Sequence, residues 1–142
     1  MEKPNPANGG IEQEVSPNGG RRKWIKIWTE NWLEGTVRFN CNHKERAVWV
    51  DLLVLAGRSR MPGMICAGKD GNATVGLPAL RLAGIVDVPE VELLTMLQKF
   101  ERQGRIELRY DEERRLIIFI KNWAAYQADY SKQARYRAKK RA

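Results

Sequence analysis

The apolar residues of this chain fall into blocks whose spacing separates strands from helices. Residues 1–20 hold few of them and are rich in Pro, Asn and Gly. Such a segment cannot bury enough surface to offset its ordering entropy, so it is expected to be disordered. Order is expected from Arg21 onward. Trp24, Ile25, Ile27 and Trp28 crowd into KWIKIW and predict a short strand. Asn42-His43-Lys44-Glu45 has the spacing of a capping box, in which two side chains satisfy amides left free at a helix start. The dense apolar run Ala47–Ala56 follows, and Gly57 is the expected stop. A helix apolar nearly all round belongs at the centre of a core.

Pro62-Gly63 predicts a turn, Met64–Ala67 a short strand and Lys69-Asp70-Gly71-Asn72 a loop. Leu77–Ala83 predicts a short helix ending at Gly84. Asp87-Val88-Pro89-Glu90 resembles a second capping box, with proline tolerated in the first turn. The helix it opens is expected to run to Gln103 and stop at Gly104. Val91, Leu93, Leu94, Leu97 and Phe100 are assigned to its core face. Arg105–Tyr110 and Arg115–Lys121 then predict a β-hairpin joined by Asp111-Glu112-Glu113-Arg114. Ile106, Leu108 and Tyr110 alternate with polar residues, whereas Leu116–Ile120 is continuously apolar and should be the inner strand.

A short helix, a Gly-containing turn, a longer helix and a hairpin is the order of a winged helix-turn-helix. The expected fold is therefore α+β: a winged helix-turn-helix over residues 21–130, with a C-terminal β-hairpin wing and a basic tail over 131–142. At 142 residues one domain is expected, and no repeat is visible.

Charge adds a direction. Of the net +8, residues 1–20 carry −2 and residues 131–142 carry +6 with no acid, which leaves +4 for the middle. The tail is rich in good helix formers, so it could extend a helix begun at Asn122 or become helical on binding. No apolar run approaches the roughly 18 residues of a membrane span, and MEKPNPANGG has no signal-peptide core. The expectation is a cytoplasmic protein without a membrane partner.

Several segments carry a resemblance. WVDLLVLAGRS, MPGMICAG, LLTMLQKFERQGRIEL, IIFIKNWAAYQ and SKQARYRAKKRA, together spanning roughly Lys23 to Arg141, resemble the N-terminal domain of phage replisome organiser proteins. That family is similar to DnaD-type primosomal proteins. The resemblance implies a winged-helix fold and a role in assembling replication machinery on DNA, with a helicase loader among the partners.

The candidate DNA contacts are read from the residues. On the polar face of the longer helix, Thr95, Lys99, Arg102 and Gln103 suit phosphates or base edges, whereas Glu92 does not. At the wing, Arg109, Arg114 and Arg115 surround Asp111, Glu112 and Glu113, whose charge would repel a backbone. The tail offers Lys132, Arg135, Tyr136, Arg137, Lys139, Lys140 and Arg141, with Tyr130 just before it. This combination suits phosphate neutralisation with base stacking. If all six tail cations met duplex phosphates, the log–log salt slope would be about −5.

Other chemistry is thin. Trp24, Trp28, Trp49, Trp123, Phe119 and Tyr126 recur within apolar segments and are expected in the core. Cys41, His43 and Cys66 lack the fourth ligand a structural zinc site wants; Cys41 is read as a small buried residue and His43 as a solvated one. There is no phosphate-binding GxxxxGK[S/T] loop and no nucleophile paired with the single histidine. The expectation is a non-enzymatic DNA-binding protein without cofactor or metal. The alternatives are a self-associating or partner-recruiting interaction module and a small transcriptional regulator.

Overall fold

The computed structural model describes residues 21–128. The expected disorder of residues 1–20 and the conformation of the basic tail lie outside them. The described chain is α+β, with helices packed on small antiparallel sheets.

The capping box at Asn42 forms as read. Asn42 Oδ1 accepts the Glu45 amide and Glu45 Oε1 accepts the Asn42 amide, both at 2.8 Å, opening helix α3 (His43–Arg58). Val48, Leu52 and Ala56, four residues apart, are buried along one side of α3 and anchor the core. Gly57 does not stop this helix but lies within it. Its missing side chain admits other groups: a Cβ there would sit 2.5 Å from Ile25 Cγ2 and 3.6 Å from the Trp123 ring.

Two further helices follow in the predicted order. Helix α4 (Ala79–Val86) continues through Gly84 and ends at Asp87, which is left-handed with φ of 61°. Asp87 therefore terminates α4 and does not cap α5 (Glu90–Arg102), which begins after Pro89 without a side-chain cap. The core face of α5 is Leu93, Met96, Leu97 and Phe100. Val91, assigned to the core from sequence, is 77% exposed. At 3.6 residues per turn it points away from the line through Leu93, Leu97 and Phe100.

Strands β1 (Met64–Ile65), β4 (Ile106–Tyr110) and β5 (Leu116–Ile120) form an antiparallel sheet in the order β1-β5-β4. Ile106 pairs with Ile120 and Met64 with Phe119. The central position of β5 explains its unbroken apolar sequence. Between β1 and α4, where a loop was expected, β2 (Gly68–Asp70) and β3 (Ala73–Val75) pair as a separate small hairpin.

The N-terminal part departs most from expectation. Residues 24–28 form no strand, and they lead into two short helices, α1 (Thr29–Glu34) and α2 (Thr36–Asn40). At the other end, α6 (Trp123–Gln127) stops before Ala128, whose φ and ψ of −61° and 144° are extended. A helix running unbroken from Asn122 into the tail is thereby corrected. Among the described residues, no helix is long and apolar enough to cross a membrane.

Candidate nucleic-acid interface

The polar face of α5 is held by bonds within the chain. Lys99 reaches across to Glu45 of α3 at 2.9 Å, and Glu92 accepts Lys44 at 2.8 Å. Burial disfavours the Glu45 charge, but Lys99 and the Asn42 amide outweigh it and hold the carboxyl below its usual range. Gln103 donates to the Asn40 carbonyl and accepts from Arg105 Nε at 2.7 Å, so it ties the end of α5 to α2 and to the turn before β4. The Thr95 hydroxyl donates to the Val91 carbonyl. Arg102 is exposed and has no ion pair among the described residues. Glu90, Glu92 and Glu101 lie on the same helix as Lys99 and Arg102, so its charge is slightly negative.

The β4–β5 loop is also internally committed. Asp111 Oδ1 accepts the amides of Glu113 and Arg115, and its Oδ2 accepts the Gly76 amide and Arg115 Nε. Burial opposes the Asp111 charge. The amides of Arg115 and Gly76, the Arg115 side chain and the Glu113 amide prevail and lower its pKa to about 2. Asp111 is thus the organiser of the loop rather than a free acid at its tip. Arg115 also lies 3.5 Å from Glu113, and Arg109 pairs with Glu107 at 2.6 Å and covers the Phe119 ring. Arg114, left-handed with φ of 66°, is exposed.

The structure places a further set of cations together, one that sequence reasoning missed. The Arg22 amide donates to the Gly57 carbonyl at 2.7 Å. That bond sets Arg21, Arg22 and Lys23 beside the end of α3, where Arg58 and Arg60 are exposed. None of these five cations forms an ion pair among the described residues. Arg22 lies over the ring of Trp24, 5.2 Å from its centroid. Trp24 is 65% exposed, Trp28 46% and Tyr126 44%, so the expected core role of these three is corrected. Trp49 and Trp123 do pack against the core.

Three bonds then bring the root of the tail to this side. Lys26 donates its amide to Gln127 Oε1 at 2.7 Å and its carbonyl accepts Gln127 Nε2 at 3.0 Å; the Lys26 ammonium donates to the Ala128 carbonyl. The candidate residues Lys132, Arg135, Tyr136, Arg137, Lys139, Lys140 and Arg141 lie outside the described residues.

No family model, curated protein or solved structure matches this chain.

Cys41 is buried and His43 exposed, with His43 Nδ1 2.8 Å from Arg46 Nη2. Among the described residues, no three metal-ligating side chains come together. The arrangement brings exposed cations and exposed aromatic rings together on the described surface.

Proposed function

We propose that this chain is a winged-helix protein that binds DNA in phage-type replication initiation, and that a cationic side rather than α5 makes the main contact. The order α3, β1, α4, α5 and a β4–β5 hairpin, with β1 added to β5, supports the winged-helix reading. The observation that carries the DNA reading is the Arg22–Gly57 bond, which joins two cationic stretches 35 positions apart on one side. The six cations of the tail follow in sequence after Ala128, whose carbonyl accepts the Lys26 ammonium. By contrast, the candidate contacts Lys99, Gln103, Arg109 and Arg115 are engaged within the chain. The assignment to replication rests on the resemblance of the quoted segments to replisome organisers.

Anisotropy of a labelled duplex tests this reading. Replacing Arg58 and Arg60 by Ala should weaken binding to every sequence and reduce the salt slope by about 1.8, or about 0.9 per lost phosphate contact. Replacing Thr95 and Arg102 by Ala should change little. The opposite pattern, with sequence preference lost in the second variant, would favour the regulator instead.

One observation favours a second reading, a surface for self-association or for a replication partner such as a helicase loader. Leu80 and Ile85 of α4 and Val91 of α5 are exposed apolar side chains close in sequence on the paired helices. A molecular mass that rises with protein concentration and is restored to one chain by Leu80→Asp would support that reading. A single-chain mass at all concentrations would remove self-association.

A further inference from the structure

Between α1, α6, α3 and the end of the β4–β5 sheet lies a groove of about 410 Å³. Its lining has an unusual chemistry for a surface recess. Four tryptophans and a tyrosine contribute to it, along with Lys26, Arg105 and Lys121, and no carboxylate does. Trp28 and Tyr126 stand at 80° with ring centroids 6.3 Å apart, and the Trp28 indole donates to the Tyr126 carbonyl at 2.9 Å. Both rings keep nearly half their surface exposed, although large aromatic groups ordinarily gain by burial. Asn31 and Asn122 add side chains that can both donate and accept hydrogen bonds.

We propose that this groove takes the unpaired bases of single-stranded DNA, with the strand's phosphates running on to the cationic side. The inference rests on the DNA-binding reading and specifies the strand state. Flat rings suit base stacking, which tolerates any sequence, while the cations match the charge of the strand. A duplex hides its base faces within the stack and offers this groove only its backbone. An apolar peptide would leave the three cations without complementary charge. Lys26, part of the lining, bonds to Gln127 and to the Ala128 carbonyl.

The test uses the full chain and a twelve-residue oligothymidine, compared with an abasic strand of equal length and charge and with a duplex. The thymidine strand should bind roughly tenfold more tightly than the abasic one, since stacking one or two bases accounts for that ratio. Trp28→Ala combined with Tyr126→Ala should abolish the difference, while a cooperative thermal unfolding transition shows that the variant folds. Photo-crosslinking a 5-iodouracil strand to the unaltered chain should label Trp28, Trp32 or Tyr126. Equal binding of thymidine and abasic strands overturns the groove proposal but leaves the cationic reading standing. Crosslinks confined to Tyr130, Tyr136 or Trp24 also overturn it. Failure of all three nucleic acids to bind at low salt removes both.

Discussion

Lys26 and Gln127 bond each other twice, 101 positions apart, through the backbone of one and the side-chain amide of the other. Gln127 is buried, so neither group has water as a ready substitute. This pair holds the N-terminal segment, which carries Arg21, Arg22 and Lys23, against α6. Gln127→Ala should cost about 1–3 kcal/mol, because it strands an amide and a carbonyl. Denaturant unfolding should show the loss, and DNA affinity should fall with it as the N-terminal cations come loose.

The Lys99–Glu45 pair should behave differently. It joins α5 to the capping box of α3 at 2.9 Å. Lys99→Ala should lower the thermal midpoint yet leave duplex affinity within about twofold, the scale of a surface change made away from the interface. A large loss of affinity at unchanged stability would place Lys99 on DNA instead.

Asp111 gives the loop a pH signature. Its folded pKa of about 2 lies below the ordinary 3.8, so its contribution to stability is complete above that ordinary value and is lost as pH falls through about 2. Asp111→Asn should therefore be less stable than the parent at pH 7 and approach it near pH 2. Denaturation at pH 7, 4 and 2 checks this; a gap that does not change with pH would contradict it.

Gly63 carries β1 towards β5 by accepting the Ile120 amide at 2.8 Å. Its φ is +83°, and a Cβ would meet Trp123 Cγ at 2.8 Å. Gly63→Ala combines a left-handed cost of about 1 kcal/mol with overpacking of at least about 1 kcal/mol. Calorimetry should show a drop of roughly 2 kcal/mol or more, with α3 and α5 otherwise intact.

Elements with local signals could be read from the chain. The capping box at Asn42, the 3.6-residue spacing in α5 and the apolar run of β5 each carry their own physical cause. Elements made by distant partners could not. Residues 24–28 look like a strand by composition, but their backbone bonds to the Gln127 side chain rather than to a ladder. Helices α1 and α2 span only six and five residues and lack side-chain caps, so no period or cap announces them. Asp87 has the composition of a cap, yet its left-handed backbone ends the preceding helix.

The candidate site divides the same way. The tail's charge is plain in the sequence, and so is the polar face of α5. The partners that engage Lys99, Gln103 and Arg115 are not, because each is fixed by packing between elements. The cluster of Arg21, Arg22 and Lys23 with Arg58 and Arg60 depends on one long-range bond. In the sequence it is two unremarkable basic stretches.

The most direct test compares the salt dependence of duplex binding for the full chain and for a chain ending at Tyr130. The full chain should bind steeply with salt and without regard to sequence. Removing the tail should reduce the log–log slope by about 5, leaving a weaker, still sequence-indifferent affinity that Arg58→Ala and Arg60→Ala reduce further. A shortened chain that keeps its full affinity and prefers particular sequences would contradict the account and put α5 in the groove of the duplex.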